Sequence, residues 1–208
     1  MSLALKQEQG QEQTKTSPFA ENKKITYKDY LNWPDDVRAE VIQGVAYMMA
    51  PPSTTHQRSA GRLFNTLSAF LKGRTCEAFI APFGVRLFPE EDKTDDTVVE
   101  PDIVVICDPS KIDEQGCKGA PDLVIEILSP STKRKDKTIK LQLYQKAGVR
   151  EYWIVSPEDK DIEVHHFENN SIELFGVNKE ETHDTNKLPE IAPVNVLPGL
   201  EIDVKEIF

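Results

Sequence analysis

Glu126 stands inside LVIEIL (123–128), a run that is otherwise wholly apolar. Side chains alternate along a strand, so Val124, Glu126 and Leu128 share one face. An ionised carboxylate on such a face is costly to bury alone. It requires a metal, a cationic partner, a raised pKa or exposure at a cleft. Asp102 poses a similar question, because it follows Pro101 and opens the apolar run IVVI. The pattern repeats at Pro121-Asp122, ahead of LVI. Asp102 and Glu126 lie 24 positions apart (126 minus 102), on what should be neighbouring strands. Two carboxylates brought together repel, and a hard dication relieves that repulsion. Mg²⁺ typically takes one or two carboxylates, with water and phosphate oxygens completing its shell.

Plainer roles exist for the same residues. Glu126 could form an ion pair with Lys140 or Arg150. Asp102 and Asp122 could be turn residues that accept backbone hydrogen bonds. Turn chemistry does not explain a mid-strand acid, so Glu126 favours the site reading. For Asp102 the two roles stand level, and for Asp122 the turn role is at least as well supported. Asp136, Lys140 and Tyr144 fall at i, i+4 and i+8 and therefore line one helix face. A lysine beside a metal can orient the attacking water and offset transition-state charge. The alternative is a solvated face with an Asp–Lys pair worth about 0.3–0.5 kcal/mol, and spacing alone favours it.

These residues need a scaffold. IVVI and LVIEIL read as strands buried on both faces. Residues 55–74 carry Leu63, Phe64, Leu67, Phe70 and Leu71, the period of a helix with one buried face. Thr54 or Thr55 can cap its start and Gly73 its end. Residues 138–149 return to helical spacing at Ile139, Leu143 and Ala147. A short helix is predicted over 25–36, stopped near Pro34. Two strands over 38–52 turn at Gln43-Gly44. Residues 77–88 form a strand region broken by Pro82, and 150–158 form another strand. A hairpin over 161–177 turns at Asn169-Asn170, and one more short strand is expected near the C-terminus. The pattern is α/β: a mixed central sheet flanked by helices, with extra hairpins. Residues 1–24, rich in Gln, Glu and Lys, read as a disordered tail, and 25–208 as a single domain.

Composition narrows the function classes. No apolar run approaches the roughly 20 residues of a membrane span. The N-terminus has no apolar core of the signal-peptide kind, so the expected address is the cytoplasm. Cys76, Cys107 and Cys117 form no CxxC pair and read as reduced structural thiols. The net charge of -10 argues against non-specific nucleic-acid binding. KRKDKTIK (133–140) supplies a local basic edge on that acidic body. His165 and His166 alternate across a strand and cannot both face one metal.

The stretch PDLVIEILSPSTKRKDKTIKLQLYQKAGVREYWIVSPE resembles the Uma-two family of bacterial restriction endonucleases. RAEVIQGVAYMMAPPSTTHQ and FGVRLF…VVEPDIVV resemble that family's earlier segments in the same order, so the likeness covers about residues 25–205. The resemblance implies a PD-(D/E)XK nuclease fold that hydrolyses DNA with Mg²⁺ or Mn²⁺. It assigns the metal to Asp102 and Glu126. The usual lysine two positions after the second acid is absent, because position 128 is Leu, and Lys140 on the next helix takes its place. Glu40 and His56 match family motif positions and should border the site. Lys133, Arg134, Lys135 and Lys137 should contact DNA phosphates, and a homodimer or higher homo-oligomer is expected. Two rivals compete with the nuclease. One is a non-catalytic relative that binds DNA or a protein. The other is a hydrolase using Ser129 or His56, for which no G-x-S-x-G elbow is present.

Overall fold

A computed structural model describes residues 24–34, 36–178 and 187–208. The tail expected over the first 24 residues lies, but for Lys24, outside the described residues. Thr26 caps α1 (Tyr27–Tyr30) with a capping box to Asp29. β1 (Ala39–Ile42) and β2 (Val45–Met48) pair antiparallel. Their turn puts both Gln43 (φ 52°) and Gly44 (φ 82°) in the left-handed region, as a tight two-residue hairpin demands. α2 (Thr54–Leu71) begins one residue before its expected start, and its cap is Ser53 rather than a threonine. The Ser53 hydroxyl accepts from His56 N at 3.2 Å.

Pro82 breaks the next region into β3 (Glu77–Ile80) and β4 (Val85–Arg86). Pro101 has no N–H and breaks the following one into β5 (Val98–Val99) and β6 (Ile103–Ile106). β7 (Ile112–Asp113) and β8 (Gly116–Lys118) are short and carry no alternation from which to predict them. β9 (Leu123–Ile127) and β10 (Glu151–Ser156) are buried along their whole length. Between them runs one continuous helix, α3. It is α-helical at Lys133–Lys135, π-helical at Asp136–Lys140 and α-helical again at Leu141–Ala147. β11 (Asp161–His166) and β12 (Ser171–Gly176) form the expected hairpin. β13 (Ile191–Pro193) pairs with β14 (Glu201–Asp203) where one strand was expected.

The strands form two six-stranded sheets and a small ribbon. One sheet has the order β2-β1-β5-β4-β8-β7, and the other β12-β11-β10-β9-β6-β3. The second sheet is central. One of its faces packs Ile103, Ile125 and Trp153 against Leu63 and Leu67 of α2 and against residues 192–207. The other packs Val104, Val124 and Tyr152 against Val85 and Val99 of the first sheet and Leu143 and Tyr144 of α3. Both faces of β6 and β9 are therefore covered, as their unbroken apolar runs require.

The cysteine expectation is corrected. Cys76 and Cys107 are joined by a disulfide with an S–S distance of 2.08 Å, and Cys117 alone is free. Glu77 pairs with Ile106 across β3 and β6, so the residues just outside that pair face each other. Linear spacing could not reveal this, because it depends on the strand register.

Candidate active site

β6 and β9 pair antiparallel, with Ile103 opposite Ile125 and Val104 opposite Val124. The same register carried one step further sets Asp102 opposite Glu126. The two acids are thus cross-strand neighbours, with Cβ atoms separated by about 5 Å in such a pairing. Glu126 points, with Val124, to the face covered by α3 and the first sheet.

Lys140 reaches down from α3 into this face and is almost fully buried. Its Nζ lies 2.7 Å from Glu126 Oε1 and 2.6 Å from Glu40 Oε1. Lys135 Nζ lies 2.7 Å from Glu40 Oε2. The Tyr144 hydroxyl donates to Glu126 Oε1 at 2.6 Å. Asp136 is buried with its Oδ1 3.9 Å from Lys140 Nζ. At the edge, Asp102 Oδ2 accepts from Ile127 N at 2.7 Å and lies 3.2 Å from His56 Nε2. The structure therefore brings Asp102, Glu126, Lys140, Glu40, His56, Asp136 and Tyr144 together.

It does not bring in Asp122. That residue sits at the other end of β9, about 13 Å from Glu126 along the strand. Its Oδ2 accepts from Cys107 N at 2.8 Å, and Arg150 Nη1 lies 3.4 Å from its Oδ1. Lys133 and Lys137 lie outside the cluster, Lys133 3.6 Å from Asp159 and Lys137 2.7 Å from Glu163. Arg134 is exposed on the same first turns of α3. Of the four basic residues expected to contact phosphates, Lys135 is the one that turns inward, onto Glu40.

Two roles were missed in the sequence. Lys135 is a partner of Glu40, and Tyr152 donates its hydroxyl to the Asp136 carbonyl at 3.2 Å. A tyrosine in a wholly buried strand must find a partner for its hydroxyl, and that was the signal available for Tyr152. No comparable signal marked Lys135, because a regular helix would not place residues 135 and 140 on one face.

Four carboxylates (Glu40, Asp102, Glu126, Asp136) here face two ammonium groups (Lys135, Lys140). The imbalance appears in the acidities. Burial pushes Glu126 up to about 8; Lys140 opposes the rise, while Asp136, Asp102 and Glu40 add to it. Burial works against the charged form of Lys140, but Glu126, Glu40 and Asp136 outweigh it and hold the ammonium firmly protonated. Burial also pulls His56 down, yet the hydrogen bond and charge of Asp102 raise it above the ordinary histidine value.

The ion pair between Glu126 and Lys140 is one of the plain alternatives weighed above, and it is present. It does not exhaust the cluster. Among the described residues, Glu126 Oε2 and Asp102 Oδ1 take no hydrogen bond. These are hard oxygen donors on facing residues in a site with surplus negative charge, which suits Mg²⁺ or Mn²⁺. Among the described residues no group of three or more His, Cys, Asp or Glu side chains could hold a metal. A magnesium site does not require one, since one or two carboxylates suffice when water and phosphate complete the shell.

Fold and site together define a mixed α/β protein of the nuclease-like kind. The chain belongs to the Uma2 family, described as "Putative restriction endonuclease", whose model matches residues 27–205. A crystal structure described as a putative nuclease belonging to DUF820 from Anabaena variabilis shares the fold, with a TM-score of 0.67 and 23% identity. The match covers 88% of this chain and 97% of that one. The "Uncharacterized protein slr1290" of Synechocystis sp. is 29% identical over 153 residues, which are 72% of this chain and 78% of that protein. No helix among the described residues is long and apolar enough to cross a membrane.

Proposed function

We propose that this chain is a divalent-metal-dependent endodeoxyribonuclease of the PD-(D/E)XK type. The observation that carries the reading is the facing pair Asp102 and Glu126. Each keeps one oxygen free of hydrogen bonds, within a buried cluster whose carboxylates outnumber its lysines. Asp102 Oδ1 and Glu126 Oε2 would hold Mg²⁺ or Mn²⁺. A bound dication lowers the pKa of a coordinated water and offsets charge on the leaving oxygen.

The remaining chemistry belongs to the chain. Lys140, held protonated, cannot accept a proton; it donates to the attacking water and orients it towards the scissile phosphate. Glu40 fixes Lys140 and Lys135 together and is itself fixed by Glu100 N at 3.1 Å. Tyr144 holds Glu126 by one oxygen and so leaves the other for the ion. His56 orients Asp102 from the start of α2. Leu128, where the usual lysine would stand, is buried and packs in the core facing α3. Its place in the mechanism passes to Lys140, which reaches the same carboxylate from the helix.

The first test is cleavage of plasmid and single-stranded DNA in Mn²⁺, beside a Glu126→Ala variant and an EDTA control. Cleavage by the wild type that both controls abolish is the expected result. Cleavage that persists in Glu126→Ala would place the chemistry elsewhere.

A further inference from the structure

Among the described residues the cluster holds two buried side-chain atoms without a hydrogen-bond partner, His56 Nδ1 and Asp136 Oδ1, and the second lies beside the lysine. Asp136 Oδ1 is 3.9 Å from Lys140 Nζ, too far for a hydrogen bond. A buried acceptor without a donor is costly, and the Lys140 charge 3.9 Å away offsets that cost only in part. The backbone of Asp136 is held in place, because Tyr152 donates to the Asp136 carbonyl. Asp136 and Lys140 open and close the π-helical segment of α3, four residues apart on one face. Lys140 meanwhile divides its ammonium between Glu126 and Glu40.

We infer that Asp136 is the second seat of Lys140. When a divalent cation takes Glu126 and Asp102, the ammonium leaves Glu126, keeps Glu40 and hydrogen-bonds Asp136 Oδ1. This rests on the metal reading proposed above. An ammonium has three donors, so exchanging one carboxylate for another loses no hydrogen bond. The exchange also withdraws a positive charge from beside the incoming cation, where the two would repel. A turn about the terminal bonds of one side chain is enough, since Asp136 Oδ1 already lies within 4 Å. Asp136 touches neither the ion nor the substrate, and is a positioning residue that acts through Lys140.

The test is Mn²⁺ binding by titration calorimetry at one pH. The proteins are the full-length wild type, Glu126→Gln, Asp136→Asn, Lys140→Met and the Asp136→Asn/Lys140→Met double variant. Metal-free thermal unfolding confirms that each is folded, and Lys140→Gln replaces Lys140→Met should the latter not fold. Outer partners of metal ligands usually change affinity by about 10- to 100-fold, so Asp136→Asn should weaken binding about tenfold. In the Lys140→Met background that loss should shrink to about threefold or less, because the ammonium that needs a second seat is gone.

Wild-type affinity in Asp136→Asn overturns the inference. So does an undiminished loss in the Lys140→Met background, which would mean that Asp136 acts through its charge alone. If the wild type binds no Mn²⁺, or Glu126→Gln binds as the wild type does, the metal site itself is misplaced and the inference falls with it. That failure shows in the first two proteins and is not confused with the others.

Discussion

Glu40 and Glu126 grip the same lysine, yet their carboxyl groups shift in opposite directions. Burial raises both. For Glu40, Lys140 and Lys135 together overcome burial and lower the pKa. Glu126 has Lys140 alone and three acids around it, and is raised. That contrast marks Glu126 as the acid short of positive charge, and this much was legible in the sequence, since an acid inside LVIEIL demanded compensation. The low exposure of Glu40 was not legible, because a residue near a strand start gives no sign of what will cover it. Glu151 offers a pH test away from the site. It is buried, which raises its pKa above 4.5; hydrogen bonds from Trp153 Nε1 at 2.6 Å and Val196 N at 2.9 Å only partly oppose this. A carboxyl raised on folding contributes stability that is full below its unfolded pKa and is lost as pH climbs through the folded one. Urea unfolding of Glu151→Gln above pH 4.5 should therefore vary less with pH than the wild type, while losing about 1–3 kcal/mol because the amide can accept from only one side. A wild-type pH slope in the variant would contradict this. Thiol counting is the second residue-level test. Burial pushes the Cys117 thiol up to about 12. The native, unreduced protein should therefore show no fast-reacting thiol, the unfolded protein one and the reduced, unfolded protein three. One or more fast thiols in the native state would refute the assignment.

At the scale of elements, α3 carries most of the site, and its π-helical segment is the part the sequence concealed. The apolar spacing of Ile139, Leu143 and Ala147 announced a helix, but periodicity assumes a regular one. Widening one turn is what lets Lys135, Asp136 and Lys140 all turn inward. Tyr152 steadies that turn from β10, and Tyr152→Phe removes a single hydroxyl from the contact. The variant should lose about 1–2 kcal/mol in urea unfolding, since a buried carbonyl loses its donor. Unchanged stability would show that the contact contributes nothing. The DNA contacts expected of this chain fall on the outer face of α3, where they can be tested. Lys133 and Lys137 are engaged by Asp159 and Glu163, and the acids mute the basic edge. The Asp159→Asn/Glu163→Gln variant should bind duplex DNA more tightly at low salt, with a log–log salt slope steeper by about one to two. No change in slope would mean that neither lysine meets phosphate.

For the molecule as a whole, the net charge of -10 requires that any DNA-facing surface be local. The expected homo-oligomer remains a proposal. The edge strand β12, with Ile172 (63% exposed) and Leu174 (42% exposed), offers it an apolar face. The fold class was readable because two unbroken apolar strands, each with its acid, implied a covered central sheet. The other six-stranded sheet was not readable, because its strands β4, β5, β7 and β8 are two or three residues long and are defined by their partners rather than by their own pattern. The path between the sheets has a further consequence. The chain lays β5 in one sheet, crosses to the other for β6, returns for β7 and β8, and crosses again for β9. Neither sheet is a contiguous stretch that could assemble by itself, so the strands bearing Asp102 and Glu126 meet only when both are built. Such stitching leaves no half-folded species with one sheet intact. Circular dichroism and Trp fluorescence should then report a single coincident unfolding transition, and a chain cut between β6 and β9 should yield two fragments that are each unstructured alone.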